Sequence, residues 1–363
     1  MNVVERNQFA MQYVTDELDK AQGKSSQDFL DMAEIGELQC ILDDLIRVKA
    51  MGFRGLVLTA IVGLKIDQDY NPLTDFYAAN PRSIFEKGIF YALRGRVPSG
   101  KSDPLNVAKN ISVLDDNWVT GKRPEKSARA VVTYLHKIMD APPKRQQELI
   151  DYFFYRLWAY GKEVTSIKIK VPKKEQLSNQ EFAHVCNRFI GEYPERGTVP
   201  QFVVFKLLEA VYAQSSISVE GGAESVFGTN TTSKKPADIW LEDENGKPFN
   251  LFEVTVKIVD EKRLDDCVDS LNTLEMLQLP VQFICRVPQD VSSLNQFNGN
   301  TANVNGKHFD FQDIYEFIRG VSSLLGQAQI KAIIEDITMF LTNTDRLVET
   351  KEGWNKILTD MDV

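Results

Sequence analysis

Apolar residues recur at helical spacing through the first half of the chain. Leu38, Ile41, Leu42, Leu45 and Ile46 form one stripe of an amphipathic helix, and residues 56–64 read as a buried one. Residues 127–139 repeat the pattern with Ala130, Val131, Tyr134, Leu135 and Ile138, and Pro142-Pro143 ends it. Residues 148–160 predict an aromatic-rich helix, in which Tyr152, Phe153, Tyr155 and Trp158 suit inter-helix packing better than base stacking. Residues 1–30 are polar with weak periodicity and predict an outer helix or arm. Residues 164–174 alternate like an edge strand rich in lysine, and Ser178 with Glu181 forms a capping box that opens the next helix.

From residue 199 the order of elements changes. A helix over 200–213 leads to a short strand at 216–220, a glycine-rich loop and two strands around Asp238 and Glu253. A polar helix over 260–277 and an apolar strand over 281–287 follow, giving the order α-β-β-β-α-β. Residues 310–363 predict two or three helices that cover the sheet. The Pro- and Gly-bearing segment 191–200 places a boundary between a mostly helical region, 1–195, and an α/β (α+β) region with a mixed sheet, 196–363.

Composition bounds this picture without naming a function. The chain has 363 residues, 43% hydrophobic and 26% charged, which suits a soluble two-domain protein. Its longest apolar stretch, near residues 55–64, is too short to cross a bilayer. The N-terminus lacks a signal pattern, so the expectation is a cytoplasmic protein with no membrane partner. The four cysteines (40, 186, 267, 285) and three histidines (136, 184, 308) are dispersed, which argues against zinc and against Cys/His nucleophiles. A net charge of −9 opposes general attraction to nucleic acid. Residues 82–109 nevertheless carry six basic groups against two acidic ones, a local surface on which DNA could bind.

The chemistry concentrates in residues 236–257, PADIWLEDENGKPFNLFEVTVK. Asn245-Gly246 between two apolar runs predicts a hairpin, with Asp238 on the first strand and Glu253 on the second. Alternation then puts Glu253, Thr255 and Lys257 on one face and Phe252, Val254 and Val256 on the other. Two carboxylates with water and a phosphate oxygen are the usual protein share of a Mg²⁺ site. A neighbouring lysine can orient or deprotonate water. The bland alternative is a surface hairpin with solvated charges.

Asp238, the fourteen residues that follow it, and the pattern Glu253-x-Thr255-x-Lys257 resemble the active-site hairpin of the PD-(D/E)xK nucleases. The slot two residues after the second acid, normally lysine, holds Thr255, and Lys257 comes one pleat later. A second stretch carries a further resemblance: NPRSIFEKG at 80–88, KSDPLNVAK at 101–109, then Asp116-Asn117-Trp118 and Arg123-Pro124. These are similar to the N-terminal half of SacI-type restriction endonucleases. The resemblance implies a type II enzyme that cuts a GAGCTC-like palindrome in double-stranded DNA as a homodimer. It implies Asp238 and Glu253 as Mg²⁺ ligands, with Lys257 acting on the water and Thr255 positioning it. Glu209 is a candidate extra acid, for which Glu220 and Glu224 compete. Arg82, Lys101, Asn106 and Lys109 have the chemistry to meet phosphates and base edges, and Lys234 and Lys235 stand where a scissile phosphate would approach.

Two rival readings stay open. Residues 95–102, GRVPSGKS, match the P-loop pattern letter for letter, yet the preceding segment reads as helix and Pro104 interrupts the next. A nucleotide cofactor is therefore not expected. The Thr255 departure also permits a non-catalytic DNA-binding or assembly protein with a degenerate nuclease domain.

Overall fold

The computed structural model describes residues 1–222, 235–295 and 297–363. The chain divides into two compact units, one of residues 1–167 with 343–348, the other of residues 168–342 with 349–363.

The first unit is helical among the described residues. Helices Val3–Gln22, Ile35–Ile46, Gly52–Ile66, Glu125–Met139 and Pro143–Ser166 enclose one apolar core. Gly52–Ile66 lies at its centre, buried on every side from Gly52 through Leu64, as its apolar composition predicts. Arg54 on that helix is 2% exposed. Its guanidinium donates to the carbonyls of Pro98 (2.7 Å), Ile46 (2.7 Å) and Val48 (3.3 Å), which satisfies N–H donors that burial removes from water. The aromatic residues of Pro143–Ser166 pack on neighbouring rings: Tyr134 on Phe153 and Phe29 on Tyr152.

The second unit is built on a six-stranded mixed sheet in the order β1-β2-β3-β4-β6-β5. The strands are β1 Ser218–Glu220, β2 Ile239–Glu242, β3 Pro248–Val254, β4 Val281–Cys285, β5 Thr301–Val304 and β6 Lys307–Asp313. β1, β2 and β3 pair antiparallel, whereas β3–β4 and β4–β6 are parallel. Helix Thr198–Tyr212 precedes β1, and helix Glu261–Thr273 crosses from β3 to β4. The described elements thus run α-β-β-β-α-β through β4, as the periodicity predicts. β4 reads as an almost unbroken apolar run because both of its faces are covered.

The two faces of the sheet have different partners. Ile239, Leu241, Phe252, Val254 and Ile284 pack against Asn179–Glu192, Thr198–Tyr212 and the three C-terminal helices Ile314–Ser322, Gln327–Thr342 and Val348–Asp360. Leu251, Val281, Phe283, Cys285, Phe309 and Phe311 pack against Leu264, Cys267, Val268 and Leu271 of Glu261–Thr273.

Three expectations are corrected. The division falls between Ile167 and Lys168, not near residue 195, because Phe182, Val185, Phe189 and Ile190 are buried in the same core as the sheet. The Pro/Gly signal there is a tight turn between two helices of one unit, with Arg196 and Gly197 at positive φ. Residues 164–174 form no strand: helix Pro143–Ser166 takes the first three, and beyond it Lys168 and Lys170 are held through their backbone by Asn355 and Trp354. Finally, β5 and β6 form a hairpin that pattern reading missed, although Asn305-Gly306, both at positive φ, carries its signal.

Candidate active site

Asp238 immediately precedes β2, and Glu253 lies near the end of β3. The antiparallel register pairs Ile239 with Phe252. Continued by one residue, that pairing sets Asp238 opposite Glu253, on the face shared with Leu251 and covered by Glu261–Thr273. Asp238 Oδ2 accepts the Val254 N–H at 3.0 Å, which joins the acid directly to β3. The hairpin therefore brings the two predicted carboxylates together.

The turn between the strands differs in detail from the Asn-Gly expectation. Gly246 takes a positive φ, and Asp243 Oδ1 accepts from the N–H groups of Asn245 (2.9 Å) and Lys247 (3.0 Å). The side chain of Asp243 thus organises the turn.

Both acids are substantially removed from water, Glu253 being 6% exposed and Asp238 half-buried. Burial holds the Asp238 carboxyl above the usual carboxylate range. The Val254 N–H and the charges of Arg263 and Lys235 pull the other way without cancelling the effect of burial. Two carboxylates side by side are hard oxygen donors of the kind that fit a divalent cation such as Mg²⁺. No group of three or more His, Cys, Asp or Glu suited to a metal occurs among the described residues. A cation here would take its remaining ligands from water and substrate.

The lysine does not arrive where alternation predicts. β3 ends at Val254 and the chain bends at 256–257, so Lys257 is exposed rather than one pleat along the same face. Thr255 is 4% exposed, and its Oγ1 accepts from the Lys257 N–H (3.1 Å) and from Arg263 Nη1 (2.9 Å). With both lone pairs engaged, the hydroxyl keeps its proton for an acceptor. Arg263 also places Nη2 3.7 Å from Glu253 Oε2, with its guanidinium 5.9 Å from the centre of the Phe283 ring. The first turn of a helix thus delivers the cation that β3 does not. Sequence reading missed Arg263 because it lies outside the strand motif; its signal is Asp260, whose side chain caps the helix by accepting the Arg263 N–H at 2.9 Å.

Glu209 is not joined to this pair. Its partner is Lys206 (2.7 Å), which also faces Asp336 (3.2 Å). The residue of that helix that reaches the site is Gln201, two turns earlier, whose Nε2 donates to the Asp238 carbonyl at 3.3 Å. Gln201 is 4% exposed, and its Oε1 has no partner among the described residues. Glu220 sits on β1 opposite Trp240. Lys235 is half-buried close enough to bias Asp238. Lys234 and Glu224 lie outside the described residues. Burial pushes the thiols of Cys267 and Cys285 up to about 12, so both are neutral near pH 7.

Four of the predicted DNA-facing residues belong to the first unit. Arg82, Lys101, Asn106 and Lys109 are all exposed. Ser102 Oγ donates to Glu86 at 2.9 Å, and Arg82 faces the same carboxylate at 3.7 Å, which joins the 82–86 and 101–109 stretches. Residues 95–102 follow a helical turn, Phe90–Leu93, and lack the strand a P-loop requires. The Gly100 N–H donates to Asp103 Oδ2 at 2.8 Å, and Pro98 is held by Arg54.

No protein-family model matches this chain, and no curated protein matches it. No helix among the described residues is long and apolar enough to cross a membrane.

Proposed function

We propose that the protein is a sequence-specific, Mg²⁺-dependent endonuclease of double-stranded DNA, a type II restriction enzyme of PD-(D/E)xK type. The observation that carries this reading is the Asp238–Glu253 pair, opposed across β2 and β3 beside Arg263, on a sheet with the α-β-β-β-α-β order. The resemblance of residues 80–88 and 101–109 to SacI-type enzymes supports the substrate class, and a GAGCTC-like palindrome is the target it suggests. Exposed Arg82, Lys101, Asn106 and Lys109 suit phosphate and base contacts.

Asp238 and Glu253 would hold the metal, whose chemistry is to neutralise phosphate charge and lower the pKa of bound water. Thr255 offers its hydroxyl proton to an oxygen in the site. Hydrolysis joins the water oxygen to phosphorus and breaks one P–O ester bond, the departing oxygen ending as a hydroxyl. A palindromic target pairs with a two-fold dimer, each copy cutting one strand.

Digestion of a sequenced plasmid by the purified protein, with Mg²⁺ and with EDTA, tests the reading. Discrete Mg²⁺-dependent fragments with one shared end sequence are expected; intact DNA, or ends scattered at random, would count against it. A second reading has its own support: exposed Lys257 and Thr255 in the lysine slot suit a nuclease-like domain that binds DNA without cutting it. DNA retention with no cleavage under any metal would favour that alternative.

A further inference from the structure

We propose that Arg263 is the catalytic cation of this site, contacting the non-bridging oxygens of the scissile phosphate in place of a strand lysine. The assignment rests on the nuclease reading and adds a residue that the strand motif does not contain.

The geometry has three parts. Arg263 is the third residue of Glu261–Thr273, and the Asp260 cap fixes the start of that helix. Thr255 and the Phe283 ring then direct the side chain to Glu253, so one guanidinium bridges the lysine slot and the second acid. Its charge is also felt at Asp238. Lys257 offers no equivalent, being exposed in the bend and without an ion pair among the described residues.

Arginine in this position narrows the chemistry. A guanidinium stays protonated at any working pH, so it cannot take a proton from water. What it offers is charge and a planar fork of N–H donors matched to phosphate oxygens. In the absence of substrate the same charge lies against the carboxylates. Arg263 and a divalent cation therefore repel each other across Glu253, and a phosphate anion relieves that repulsion by drawing the guanidinium to itself.

Opposite effects on two readouts follow. Arg263→Gln should tighten Mn²⁺ binding to the DNA-free protein about 3- to 10-fold, followed by EPR of the free ion. It should also slow single-turnover cleavage in saturating Mg²⁺ by about 100-fold or more, the scale for losing one transition-state donor. Arg263→Lys should recover part of the rate and return Mn²⁺ affinity toward the native value, which a packing role would not do. Lys257→Gln should change both readouts by less than about threefold.

Cleavage within about threefold of native for Arg263→Gln would overturn the assignment and leave the nuclease reading standing. Weakened Mn²⁺ binding in parallel with lost cleavage would overturn it too, since that is the signature of a damaged fold. If Arg263→Gln does not fold, Arg263→Lys decides: loss of cleavage to the level of Asp238→Ala, in a folded protein, is evidence against a simple cationic role. A native protein that cuts no DNA removes the nuclease reading itself and this assignment with it.

Discussion

Asp238 and Glu253 face each other across the β2–β3 hairpin, and the Val254 N–H on Asp238 Oδ2 at 3.0 Å sets their spacing. A side-chain oxygen takes a donor in line with the strand ladder. Asp238 is thus positioned by the strand that carries its partner.

That placement costs stability. Burial raises the Asp238 pKa above the ordinary carboxylate value of about 3.9. Between the two values the folded chain binds more protons than the unfolded one, so stability falls as pH rises through that window and the penalty persists above it. Asp238→Asn should therefore melt higher than the native protein at pH 7 in EDTA, by about 2–4 °C for each ~1 kcal/mol relieved. The gap should close as the pH approaches about 4. Calorimetry at both pH values checks this, and a lower melting temperature for the variant at pH 7 would contradict it.

Gly221 guards the other side of Asp238. It holds φ +95°, and an added Cβ would fall 2.5 Å from the Asp238 carbonyl oxygen and 2.6 Å from the Trp240 ring. Gly221→Ala must strain the backbone or displace the start of β2, at about 1–3 kcal/mol. Cleavage should fall at least tenfold under conditions where circular dichroism shows the protein still folded. An alanine variant that cleaves like the native protein would show that Asp238 tolerates movement.

Arg54 anchors the first unit in a comparable way. Arg54→Met leaves the carbonyls of Pro98, Ile46 and Val48 without their buried donor. A loss of about 3 kcal/mol is expected, read as a lower urea midpoint. Arg54→Lys should recover little, because one ammonium cannot span carbonyls that the guanidinium reaches from separate nitrogens. A lysine variant as stable as the native protein would argue against that geometric account.

Much of this fold was legible in the chain, for identifiable reasons. Helices with a clear apolar stripe, such as Glu125–Met139, and the hairpin around Asp243–Lys247 follow from periodicity and turn chemistry. That a hairpin would bring Asp238 and Glu253 together is legible too, although the register shift between Leu241 and Glu242 that enters their pairing is not. Lys257 and Arg263 were not. Alternation holds only while the strand continues, and β3 stops at Val254, where nothing in the spacing marks a bend. Arg263 reaches the site through a tertiary contact from the following helix; the Asp260 cap marks where that helix starts but not that its side chain turns to Glu253. The boundary at residue 195 failed for a related reason: Pro and Gly mark turns, and only packing tells a turn inside one core from a linker between two.

The most direct measurement is the conversion of supercoiled plasmid by native protein and by Asp238→Asn across a Mg²⁺ titration. The account predicts linear product that rises with Mg²⁺, vanishes in EDTA and falls at least about 1,000-fold in the variant. Supercoiled DNA that survives native protein at every Mg²⁺ concentration, or equal cutting by native and variant, would contradict it.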